Sequence, residues 1–175
     1  MTYGDTGKEK PAFHHAAIQV SLALVFALFL VSGQAWDLIA RICTAALDYA
    51  GIQNEYVSPL YLIYVRLLDG TVVGFEVLVE CSGLIGLLVF SFISAFTIGL
   101  LRGTLVTKLI WFILSLGAGF LWNMGRLISI IAVAYHFGLP AFSFAHYILG
   151  PAVDFVWIVS LWAVGMSWLR KEGST

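Results

Sequence analysis

The chain has 175 residues, 61% of them hydrophobic and only 11% charged, with a net charge of −1. Soluble domains carry about 25% charged residues, so this composition indicates an integral membrane protein of a single domain, residues 1–175. The near-zero charge and the lack of a basic block or a phosphate-cradling glycine loop argue against a nucleic-acid or nucleotide partner. The two cysteines, Cys43 and Cys81, and four scattered histidines match no metal-binding spacing, so no metal or other cofactor is expected.

The first apolar segment runs from about residue 16 to 36, close to the ~20 residues that a membrane helix needs. A cleaved signal peptide ending near Val31-Ser32-Gly33 is the alternative, but the apolar run is longer than such signals usually are. Residues 37–80 form a less apolar insert. Within it, Leu38, Ile39, Ile42, Ala46, Leu47 and Ala50 recur at helical spacing around polar Arg41 and Asp48. This pattern predicts an amphipathic helix on the outer membrane surface. Tyr61 to Leu67 and Val72 to Val79 then flank Asp69-Gly70, a strong β-hairpin signal.

The hairpin leads into Glu80-Cys81-Ser82-Gly83 and a second apolar segment, about 84–101. A third runs from about 109 to 135. As a helix it would rise roughly 40 Å, more than the ~30 Å hydrocarbon core, so it should tilt or bend near Gly117, Gly119 or Asn123-Met124-Gly125. An outer loop, Phe137 to Ala145, precedes a fourth segment at about 147–169. The expected fold is therefore an all-α membrane protein. It has four transmembrane helices, with an extracytoplasmic amphipathic helix and a β-hairpin between the first two.

With the N-terminus inside, Lys8, Lys10, Arg102, Lys108, Arg170 and Lys171 flank the spans on the cytoplasmic side, and only Arg41 and Arg66 lie outside. This bias predicts a multi-pass protein of the cytoplasmic membrane with both termini in the cytoplasm.

That threading brings three polar residues to one depth. Cys81 precedes the second helix as it enters from outside. Arg126 lies roughly 27 Å up the third helix from Lys108. His146 opens the fourth. An intramembrane Arg is costly enough to be a functional candidate by default. Asn123, one turn earlier, shares its helix face and can orient it. Asp154, roughly 12 Å deeper than His146, is expected to be a buried partner for Arg126 or Asn123. Together the three residues suit acyl transfer on the outer face. A thiolate favoured by a neighbouring cation and a helix N-terminus attacks a carbonyl. A guanidinium holds the oxyanion, and an imidazole passes the proton to the leaving amine. Each also has a structural reading: Cys81 as a small apolar side chain, His146 as an interfacial residue, and Arg126 as a snorkelling or ion-paired cation. His136 competes with His146, and Glu80 could tune the thiol or bind substrate.

The ordered set Glu80-Cys81-Ser82-Gly83-Leu84, Asn123-Met124-Gly125-Arg126 and His146-Tyr147-Ile148-Leu149-Gly150 resembles the exosortase/archaeosortase family. The resemblance covers about residues 70–150 and corresponds to a compact member without the extra N-terminal helices of larger ones. It implies a membrane cysteine protease-transpeptidase in which Cys81 forms a thioester, Arg126 stabilises the oxyanion and His146 is acid and then base, with Asn123, Glu80, Ser82, Gly83 and Asp154 supporting. The implied partners are exported, membrane-anchored proteins with a C-terminal motif, helix and basic tail, and a lipid or glycolipid acceptor. The hairpin is expected to grip the extended motif by strand pairing. Two alternatives remain. One is a non-enzymatic membrane subunit binding an anionic solute through Arg126 and His146. The other is a thiol oxidoreductase, disfavoured because the chain has no Cys-x-x-Cys.

Overall fold

The computed structural model describes residues 9–78, 84–101 and 103–172. Its described part is mostly helical, with a small three-stranded antiparallel sheet. Helix α1 spans Glu9–Leu30 and α2 spans Gly33–Tyr49. The strands are β1 (Asn54–Val57), β2 (Leu62–Arg66) and β3 (Val72–Glu76). Helices α3 (Leu84–Gly99), α4 (Leu105–Phe144) and α5 (Gly150–Glu172) complete the chain.

The first helix stops at Leu30 rather than continuing to Trp36 as expected. The Ser32 Oγ accepts from the Ala35 N–H at 3.3 Å and caps a new helix, while the Trp36 indole donates back to the Leu30 carbonyl at 3.0 Å. Helix α2 buries Ala35, Ile39, Ala40, Cys43 and Leu47. That stripe packs against α4 and the sheet, whereas Leu38 and Ile42, expected on the apolar face, are exposed.

The hairpin forms around Asp69-Gly70. Gly70 has φ +87°, which glycine adopts at little cost, and the Asp69 carboxylate accepts from the Thr71 N–H at 2.8 Å. A strand the hairpin reading missed, β1, pairs with β2, giving the order β1-β2-β3. The second hairpin strand ends at Glu76 instead of Val79. Ile63, Val65, Phe75 and Val77 point from one sheet face into the core.

Helix α4 is longer than its apolar segment, at 40 residues. Its one non-helical residue is Gly138, with φ 78° and ψ 179°, so the break lies well beyond the glycines at which a bend was expected. The expected outer loop 137–145 is helical on both sides of that break. A single π-helical turn, Ala145–Leu149, joins it to α5. Helix α5 then runs back antiparallel along α4. Arg126 meets Asp154, the Trp122 ring meets Trp157, and Trp111 meets Trp168.

Among the described residues, two helical stretches are long and apolar enough to cross a membrane: Phe13–Leu30 and the folded-back Leu105–Arg170. Helix α3 is apolar but shorter, at 16 residues. Helices α1 and α3 pack closely, with the backbone of Gly99 against Ala16. At this end of the bundle the buried Lys108 ammonium donates to the Gly99 carbonyl at 2.8 Å and lies 3.3 Å from the His15 Nδ1.

Candidate active site

Arg126 sits just past the middle of α4, on the side facing α5. Its guanidinium Nη1 donates to the Asp154 carboxylate at 3.0 Å, and both side chains are largely buried. Among the described residues one of the five guanidinium N–H donors is thus engaged. The Nε has no partner among the described residues. The guanidinium passes directly over Gly150: a Cβ built there would lie 2.6 Å from Nη1.

His146 falls in the π-helical turn, a local widening that often marks functional sites. Its imidazole stacks on Phe142, with centroids 5.3 Å apart and planes 8° apart, and meets the Tyr147 ring edge-on. The ring is therefore fixed by its own helix. Its Nδ1 is buried without a partner among the described residues.

Arg126, His146 and Asp154 line one cleft of about 450 Å³ together with Ile85, Gly86, Tyr147, Pro151, Phe155 and Ile158. Three helices therefore converge on it: the start of α3, the middle of α4 and the start of α5. Helical rise alone sets Asp154 well below His146, but the long Arg126 side chain bridges the two levels. The exposed lining residues Ile85, Tyr147 and Phe155 are apolar, so the cleft opens onto an apolar surface. A second, smaller cleft of about 160 Å³ adjoins it, sharing His146 and Tyr147 and bounded on its far side by Val73, Gly74, Phe75 and Glu76 of β3.

Cys81, Glu80, Ser82 and Gly83 lie outside the described residues. Ile85 and Gly86, four and five positions after Cys81, are in the cleft wall. Asn123 is buried on α4, one turn before Arg126, and its Nδ2 has no partner among the described residues. His136, the competing histidine, is exposed and does not line either cleft. Cys43 is fully buried in α2, and burial pushes its thiol up to about 12, so it is not a nucleophile at neutral pH. Among the described residues no cluster of His, Cys, Asp and Glu could hold a metal ion.

Sequence reasoning did not single out Gly150, Pro151 or Phe155. A signal was present: Pro151, Asp154, Phe155 and Ile158 recur at i, i+3, i+4 and i+7, which is one helix face. Asp154 is already among the expected supporting residues, and its neighbours on that face could have been drawn from it.

A family model described as transmembrane exosortase matches residues 8–163 of the chain. No curated protein matches it, and no solved structure does.

Proposed function

The chain belongs to the transmembrane exosortase family, and from that premise we propose that it is a membrane cysteine protease-transpeptidase. It would cleave C-terminal sorting signals of exported proteins at the outer face and transfer them to another anchor, lipid or glycolipid. The observation that carries this reading is the convergence of Arg126 and His146, from separate helical segments, on a cleft walled by the first turn of α3. That helix begins three residues after Cys81.

In the proposed reaction the Cys81 thiolate attacks the scissile carbonyl carbon. Free guanidinium N–H groups of Arg126 stabilise the oxyanion, as preorganised donors do in acyl transfer. The C–N bond breaks, the amine leaves with a proton from His146, and a thioester remains on Cys81. An acceptor nucleophile then gives its proton to His146 and displaces the thiolate. Asp154 holds the guanidinium in place, and the Phe142 ring holds the imidazole. The apolar mouth of the cleft would let a substrate helix approach from the lipid side, with its scissile bond at the level of His146.

The solute-binding alternative is weakened by the ion pair, since Asp154 already neutralises Arg126. The enzyme reading is tested with Cys81→Ala. Processing of an exported protein carrying the motif, helix and basic tail should stop, and mass spectrometry of the wild-type enzyme should find a substrate adduct on Cys81. Full processing by Cys81→Ala would sink the proposal.

A further inference from the structure

The sheet ends in a strand whose outer edge has no partner among the described residues, and that edge faces the candidate site. The register shows which backbone groups are free. Val77 donates to the Tyr61 carbonyl at 2.9 Å, and Leu67 donates to the Thr71 carbonyl at 2.8 Å. Inward bonding alternates along an antiparallel pair, so Val73 and Phe75 also bond toward β2. The N–H and C=O groups of Val72, Gly74 and Glu76 therefore point outward. On the far side of β2 the parity is reversed, since Arg66 donates to the Gln53 carbonyl of the β1 side at 3.2 Å.

The smaller cleft runs along this edge. Successive strand residues point to opposite sheet faces, so a groove lined by Val73, Gly74, Phe75 and Glu76 together lies beside the strand rather than on either face. Its other wall carries His146 and Tyr147, which also line the Arg126 cleft. The edge bears no lysine, proline or bulge of the kind that protects exposed strands.

We propose that β3 takes up an extended peptide as a fourth strand, and that this peptide is the substrate segment immediately preceding the substrate's membrane helix. The groove selects an extended backbone because outward donors and acceptors recur every second residue. It selects that segment because the groove shares His146 and Tyr147 with the cleft where the scissile bond would sit. Gly74 leaves the middle of the edge without a side chain. This inference rests on the protease-transpeptidase reading and names how that enzyme holds its substrate.

The test uses full-length enzyme in membranes, co-expressed with an exported protein carrying the motif, helix and basic tail. Proline is tolerated on an edge strand where its nitrogen faces outward, so Gly74→Pro removes one outward donor. Gly74→Ala keeps the donor. Processing should fall more than ten-fold further in Gly74→Pro than in Gly74→Ala, whose methyl group meets the Tyr64 ring 3.2 Å away, with iodoacetamide alkylation of Cys81 unchanged in both. A second arm decides even if Gly74→Pro folds poorly. In the Cys81→Ala enzyme, benzoylphenylalanine at Val72 or Glu76 should cross-link to the substrate just before its membrane helix, and at Glu55, on the opposite edge, it should not. Equal processing by the two Gly74 variants would overturn the proposal, as would cross-links confined to the substrate's helix or equally strong from Glu55. Processing that survives Cys81→Ala would instead reject the catalytic reading, leaving the cross-links to report on the edge.

Discussion

The Arg126 guanidinium lies against position 150, which has no side chain. A methyl group there would lie 2.6 Å from Nη1, well inside carbon–nitrogen contact, so the guanidinium would have to move away from its carboxylate. Gly150→Ala is therefore expected to lower processing at least ten-fold while the bundle stays folded, since alanine suits a helix better than glycine. Thermal melting and processing assays on the purified variant, run side by side, would separate the two effects. A melting point lowered in step with activity would show that Gly150 serves packing alone. Asp154→Asn should impair processing as well, by leaving a largely buried guanidinium unpaired. This is also where the residue-level reading of the sequence ran out. Arg126, His146 and Asp154 were legible because polar groups in apolar segments are conspicuous. Gly150 was not, because its contribution is the absence of a side chain, which only the packed helices reveal. Cys43 and Cys81 could be ranked only by context, and burial of the former supplies it.

Among the elements, the small sheet is tied to α2 by two carboxylates: Asp48 accepts from the Asn54 Nδ2 at 2.7 Å, and Asp37 makes the larger set of bonds. Asp37 accepts from the Arg41 Nε at 2.7 Å, the Tyr56 hydroxyl at 2.7 Å and the Ser58 hydroxyl at 2.9 Å. The Arg41 and Tyr56 hydrogen bonds hold its carboxyl down to about 2, below the ordinary carboxylate value. Burial and the bond to Asp37 push the Tyr56 phenol up to about 12. A carboxylate depressed on folding stabilises the fold above its unfolded pKa, and that contribution disappears as pH falls toward the folded value. Anchorage of the sheet should therefore be intact above about pH 4 and weaken between pH 4 and 2. Protection factors of the β1 amides, taken relative to intrinsic exchange at each pH, should fall across that window in the wild type and be already low, and flat with pH, in Asp37→Ala. An unchanged acid limb in Asp37→Ala would remove this role. Strand β1 itself was not legible: four residues containing Asn54 and Glu55 and followed by Ser58-Pro59 resemble a loop, and only pairing with β2 makes them a strand. The end of α4 was misleading for the opposite reason. Gly138 and Pro140 are ordinary loop signals, yet glycine absorbs the break in one residue, proline fits the first turn after it, and the chain resumes as helix.

At the scale of the molecule, the folded-back α4–α5 unit sets the direction in which the site faces. The buried Lys108 and Arg126 lie eighteen positions apart on α4, roughly 27 Å along its axis, close to the thickness of the hydrocarbon core. One end of the bundle thus carries Lys108, His15 and, further along α5, Arg170. The other carries the sheet, His146 and the cleft. Helix α3 rises only about 24 Å, less than the ~30 Å hydrocarbon core. From the excess of Lys and Arg at the Lys108 end we propose, by the positive-inside rule, that this end is cytoplasmic, and this orientation is open to direct measurement. In a Cys81→Ala background the remaining Cys43 is buried, so an added cysteine reports alone. An impermeant maleimide should label Glu55→Cys on intact cells or spheroplasts, and Arg170→Cys only after permeabilisation. The reverse pattern would place the cleft in the cytoplasm and make it useless for exported substrates. Labelling of both positions from outside would put the two ends on one side and rule out the crossing arrangement altogether.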